Sequence, residues 1–311
     1  MAKKLPKEVK LVLEHTPHQI DYRREKNVSA SQILMYDECP RKWKLSKIDK
    51  LQVYTPSVHT VFGTAMHETI QDWLQVMYST SAKAANEVDL REQLKLKMRE
   101  VYEKERKKTK EVFTTAEELN SFFLDGVEIL NYLKKKRSSY FSTKNTYLAG
   151  IETDIVQEIR PNVFFKGYID LVFYNKLSET YTIVDIKTST RGWSDYEKKN
   201  DGKIAQILLY KEFFAKQFNV EVDQINVEYF ILRRKINEDA EFVARRVQEW
   251  RPPSGKIKRG KAMKLMNDFV DNAFKDGGYN SQGDFTPTPS KSACMFCPFN
   301  NDKTLCNVAH S

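Results

Sequence analysis

Two aspartates and a lysine close adjacent strand-like runs, and side chains of these types could hold a divalent cation over a phosphate. Asp170 lies in VFFKGYIDLVFY, and Asp185 and Lys187 end TYTIVDIK. Carboxylate oxygens suit Mg2+ or Mn2+, and a bound cation polarises a phosphoryl oxygen and makes a bound water more acidic. A lysine beside it orients or deprotonates that water and offsets the charge of the transition state. The turn-like stretch 175–180 separates the runs, so they read as a hairpin. Side chains two apart on a strand share a face, which points Asp185 and Lys187 together and turns Ile186 toward the core. Surface strands also end in such residues, so this spacing alone leaves chemistry and a solvated strand end both open.

The elements around this pair follow from periodicity. Upstream, VFGTAMHETIQDWLQVMY places Met66, Ile70, Trp73 and Met77 at helical spacing, with His67 beside that apolar face as either a packed residue or a ligand. Residues 88–141 are helical in pattern: a charged helix runs from Leu90 to Lys108, and Thr115 to Glu118 reads as a capping box. The basic runs 104–110 and 134–137 are solvated faces or phosphate contacts. Near Tyr147 the period becomes strand-like, and YLAGIETDIVQEIR puts Glu152 and Asp154 on one face. After Lys187 comes a polar loop with Trp193 and Tyr196, each exposed for stacking or packed in the core. A helix over 204–218 then makes Gln206 and Tyr210 neighbours. INVEYFILRRK reads as a strand, and EFVARRVQEW as a possible one. Residues 251–264, with six basic side chains, read as a flexible basic loop leading to a final helix that ends near Gly277 and Gly278. Residues 1–28 show no convincing periodicity and read as an arm.

At 311 residues the chain can bury a substantial core without crosslinks. Lys and Arg number 51 against 42 Asp and Glu, a formal charge of +9, which favours polyanionic partners or marks an ordinary basic protein. No apolar run approaches the roughly 20 residues of a membrane span, and the first residues lack a secretory apolar core, so no membrane partner and a cytoplasmic location are expected. Of four cysteines, Cys39 stands alone before Pro40, while Cys294, Cys297 and Cys306 crowd the C-terminal part. In a reducing compartment that grouping points to metal ligation more than to disulfides.

The order of GTAMHE, GYID, DIK and QILLY resembles the PD-(D/E)XK nuclease superfamily in its RecB-type exonuclease branch. The cysteines, in CPRKWKL and CMFCPFNNDKTLC, resemble the iron-sulfur subset of that branch, the CRISPR-associated exonucleases and the nuclease domain of the AddB helicase subunit. The resemblance implies an α/β restriction-endonuclease-like core, a central mixed sheet flanked by helices. It adds a helical insert and a four-cysteine cluster joining the N- and C-terminal parts. It divides the chain into the arm 1–28 and one nuclease domain over 29–311. Within that domain lie a helical part (29–146), a catalytic sheet core (147–250) and a C-terminal cap (251–311).

The same resemblance implies that His67, Asp170, Asp185 and the Ile186 carbonyl ligate Mg2+ or Mn2+, with Lys187 catalytic. Gln206 and Tyr210 would position the DNA backbone or the lysine, and Glu152 matches a strand glutamate of these enzymes. Cys39, Cys294, Cys297 and Cys306 would bind a 4Fe-4S cluster, with a structural Zn2+ as the alternative. The implied activity is a DNA exonuclease on single strands or duplex ends. It would serve recombination, replication, repair or CRISPR adaptation in a prokaryotic or phage-infected cell, with a helicase, recombination or adaptation protein as possible partner. The rivals are a catalytically silent DNA-binding scaffold and a zinc-stapled RNA-processing nuclease.

Overall fold

The computed structural model describes residues 5–308. Helices α1 (Lys7–Leu13), α2 (Ala30–Glu38) and α3 (Pro40–Lys47) open the chain, with the short strand β1 (Lys26–Val28) between the first two. Ser29 caps α2 by accepting from the Gln32 N–H, and Cys39 is held extended at the break between α2 and α3, as a residue before proline prefers. A helical layer follows: α4 (Val58–Ser79), α5 (Ala82–Glu87), α6 (Leu90–Thr109), α7 (Ala116–Lys135) and α8 (Arg137–Tyr140). Then come β2 (Thr146–Arg160), β3 (Val163–Asn175), β4 (Thr180–Ser189), α9 (Asp195–Lys198), α10 (Asp201–Phe218), β5 (Ile225–Arg233) and β6 (Val247–Trp250). Helix α11 (Lys256–Ala273), the small hairpin β7 (Phe274–Lys275) and β8 (Gly278–Tyr279), and α12 (Lys291–Met295) complete the described chain.

The sheet is mixed, in the order β1-β3-β4-β5-β6, with β2 on the other side of β3. β3 and β4 form the expected hairpin, and β4 runs parallel to β5. One apolar core lies between the sheet and α1, α2, α3, α10 and α11, and a second lies between the sheet and the α4–α8 layer. This is the α/β architecture read from the sequence. Trp43 on α3 is fully buried against Tyr36, Phe269, Phe274, Tyr279 and Phe285, so the early helices and the C-terminal part share one aromatic cluster.

The structure departs from the sequence reading in three places. The lead-in is not irregular: Val9 and Val12 of α1 are buried on the first core, and β1 pairs in parallel with residues 163–165 of β3. The basic stretch after residue 251 is largely helical, because only Pro252 to Gly255 break the chain and α11 starts at Lys256. Several of its cations are paired, among them Lys258 with Asp201 and Arg259 with Glu212. The strand expected over 241–250 is confined to β6.

Candidate active site

A fork in the sheet builds the site. β2 runs along one side of β3 throughout, whereas on the other side β1 pairs with residues 163–165 and β4 with residues 171–175. Residues 166–170 therefore keep one open edge. Asp170 stands where β4 departs, and its Oδ2 accepts from the Ile186 N–H at 2.6 Å, which ties the two prongs together. Asp185 and Lys187 lie just past the last paired residues of the hairpin, held on their other side by β5 through Tyr229 and Ile231. Ile186 between them is fully buried in the second core, as the alternation predicts.

Two helices bring the remaining groups. α4 delivers His67, whose Nδ1 is 3.6 Å from Asp170 Oδ2. From the opposite face α10 delivers Gln206, whose Nε2 donates to Asp185 Oδ1 at 3.1 Å and lies 3.5 Å from the Tyr210 hydroxyl. The partner of Gln206 is thus the Asp185 carboxylate and not Lys187. The Tyr210 ring lies against Gly167, where an added Cβ would come within 2.5 Å of its Cε1. That contact is the physical reason the strand has a glycine three residues before Asp170.

The sequence reading missed Gln71, one helical turn after His67. It is buried, and its Nε2 donates to Glu152 Oε1 at 2.5 Å and to the Asp170 carbonyl at 3.3 Å. The only available signal was its position four residues from His67. Glu152 faces Asp170 across the β2–β3 ladder with a left-handed backbone, φ 46°. Such a conformation in a non-glycine residue costs roughly 1–3 kcal/mol and persists only where its surroundings impose it. Strand alternation slips at this pair: Phe165 and Ile169 enter the first core, Leu171 and Phe173 the second.

The charges here are mutually dependent. Burial first, then repulsion from Asp185, holds the Asp170 carboxyl well above the usual carboxylate range. Burial also raises Asp185, with the Lys187 ammonium opposing it. Burial alone would lower Lys187, but Asp185 at 2.7 Å outweighs it and keeps the amine charged. His67 is pushed down to about 4, by burial and then by the Lys187 charge, so its imidazole is neutral at pH 7. Asp185 Oδ2 is buried and close to Lys187, yet it receives no well-directed hydrogen bond. Two carboxylates, Asp170 and Asp185, thus act on one ammonium, and a buried oxygen lacks a directed donor. Hard oxygen donors with surplus negative charge fit a divalent cation. Among the described residues no three His, Cys, Asp or Glu side chains form a ready-made metal cage, so the side chains must draw inward to ligate one.

Cys39 and the three C-terminal cysteines, with 254 residues between them in sequence at the nearest, border the same pocket, but among the described residues no three of them stand close enough to form a metal cage. All four line one small pocket with Pro287 and Asn300, and none is in a disulfide. Burial raises the Cys297 thiol, with Cys39 and Cys306 adding to the effect. Elsewhere, Trp193 packs on Tyr229 and Trp250 under Lys203, while Tyr196 is exposed. Of the basic runs, Lys134 and Arg137 donate to the Val88 and Ala82 carbonyls and so have structural work. Among the described residues no helix is long and apolar enough to cross a membrane.

A family model of the PD-(D/E)XK nuclease superfamily matches residues 27–302, and the chain belongs to that superfamily. No curated protein matches it.

Proposed function

We propose that this superfamily member is a Mg2+- or Mn2+-dependent deoxyribonuclease that shortens single-stranded DNA or DNA ends. The observation that carries the reading is the pair of buried carboxylates at the sheet fork, Asp170 and Asp185, with neutral His67 and charged Lys187 against them. In this reading Asp170, Asp185, His67 and the Ile186 carbonyl hold the cation. When bound, the cation polarises the phosphate and acidifies a water. Neutral His67 has a ring nitrogen free to donate. Lys187 orients the attacking water and, as an ammonium, offsets charge on the phosphate oxygens. Gln206 fixes the Asp185 carboxylate, and Tyr210 steadies Gln206.

The cysteine pocket is assigned to a 4Fe-4S cluster bound by Cys39, Cys294, Cys297 and Cys306, with Zn2+ as the alternative. Four free thiols bordering one pocket support either, since both are held by thiolates and the side chains would have to draw together to bind it. Its role is structural, joining the two ends of the chain. The resemblance to the RecB-type branch supports a role in recombination, replication, repair or CRISPR adaptation, in the cytoplasm of a prokaryotic or phage-infected cell and with a helicase, recombination or adaptation protein as partner. The test is digestion of end-labelled single-stranded DNA, duplex DNA and RNA with Mn2+, comparing wild type with Asp185→Ala. Unchanged cleavage by the variant sinks the site assignment, no cleavage by the wild type favours a silent scaffold, and RNA-only cleavage favours an RNA-processing enzyme.

A further inference from the structure

The open edge of β3 continues past the carboxylates into a cavity of about 430 Å³, within the usual range of about 300–1,000 Å³ for small-ligand sites. Tyr22, Lys166, Tyr168, Gln206 and Tyr210 line it, with the start of α2 closing one end. Its aromatic walls are unusually open for tyrosine: Tyr22 is 59% exposed and Tyr168 45%. The Lys166 ammonium lies between them, 3.4 Å from the Tyr22 hydroxyl and 5.5 Å from the Tyr168 ring centre, and no carboxylate pairs with it among the described residues. Gln206 is shared, since its amide lines this cavity and also holds Asp185. From Gly167 to Asp170 along the strand is about 10 Å, at ~3.4 Å per residue.

We infer that this slot seats one unpaired nucleotide beside the phosphate being cut, with its base stacked on Tyr168 and Tyr22 and its phosphate on Lys166. Exposed aromatic faces with an unpaired cation are what a single strand offers partners to, because its bases present their faces and its backbone is anionic. A base pair within a duplex keeps its faces stacked and shows only its edges at a groove, so the slot selects single strands or frayed ends over blunt duplex. The idea rests on the nuclease reading for its orientation but not for its test.

The test uses a single-stranded oligonucleotide with a terminal 2-aminopurine, whose fluorescence falls on stacking, bound in EDTA so that nothing is cut. Wild type should quench the probe and bind it, while a blunt duplex with the same label should not be quenched. Tyr168→Ala and Tyr22→Ala should lose quenching and weaken binding by about tenfold or more, with Tyr168→Phe retaining both. Lys166→Gln should lower the slope of log affinity against log salt by about 0.7. Melting curves matching wild type establish that each variant is folded. Unchanged quenching and affinity in folded Tyr168→Ala and Lys166→Gln, or equal quenching of the blunt duplex, overturns the inference. A protein that quenches but never cleaves keeps the slot and sinks the nuclease reading. One that cleaves with no dependence on Tyr168 or Lys166 does the reverse.

Discussion

Replacing Asp170 by asparagine keeps the shape of the side chain and an oxygen to accept from the Ile186 N–H, but it removes one of the carboxylates at the fork. In the metal-free protein the Asp170 carboxyl titrates well above its usual range, because of burial and then Asp185. Its unfolded value is about 3.9, so between the two the folded state binds more protons, and stability falls as pH rises from about 4 through the raised value. Above that value the deficit is complete. Asparagine does not titrate, so in EDTA at pH 8 the variant should melt above wild type, and the two should converge near pH 4. With metal the order reverses. A cation at about 100 times its dissociation constant stabilises wild type by about 2.7 kcal/mol, about 4 °C in Tm for a chain of this size. The variant should lose most of that gain and its cleavage. The assay is thermal melting in EDTA, Mg2+ and Mn2+ from pH 4 to 8, with digestion of labelled DNA in parallel. A variant that melts below wild type in EDTA at pH 8, or gains as much from metal, refutes the reasoning.

Lys187→Met should reduce cleavage by roughly 100- to 10,000-fold while melting still rises with Mg2+, because the amine serves the reaction and the carboxylates serve the metal; loss of the metal-induced rise would contradict that division. Gln71→Leu removes the buried amide that joins Glu152 to the Asp170 carbonyl. It should cost about 1–3 kcal/mol by chemical denaturation and weaken metal binding by about 10- to 100-fold in calorimetric titration. Cys297→Ser should lower the iron or zinc content found by elemental analysis, lower Tm, and expose both ends of the chain to limited proteolysis. Protection of both ends in a metal-depleted variant would remove the structural role from the pocket.

The hairpin of β3 and β4 and the helices α4, α7 and α10 were legible because long segments repeat their apolar positions enough times to show a period. So were the candidate residues of the fork, since they are charged side chains set within the alternating runs of the hairpin or polar ones at fixed steps along helices. The rest was hidden for definite reasons. β1 has three residues and β6 four, too few to alternate, and α1 shows only Val9 and Val12 as its buried face. The proline and glycine residues before α11 outweighed its helix-favouring Lys, Ala and Met. Gln71 is polar on a buried face, so an apolar count passes over it, and the left-handed turn at Glu152 breaks the alternation that placed Asp154 beside it. Both exceptions are at the site, where local rules are most often broken.

The position of β1 also bears on how the chain is made. Its partner residues in β3 follow roughly 140 residues later, which at about 5–20 residues per second is a delay of about 7–28 s on a ribosome. Trp43 waits longer still, for Phe269, Phe274 and Phe285. During synthesis α1, β1 and Trp43 must therefore stay exposed, and the strongly charged residues interspersed through 1–50 would keep that leading stretch from associating with other chains. The fork becomes complete only after β5 has joined the sheet, so a nascent chain stalled before that point carries the carboxylates but not the cleft between them.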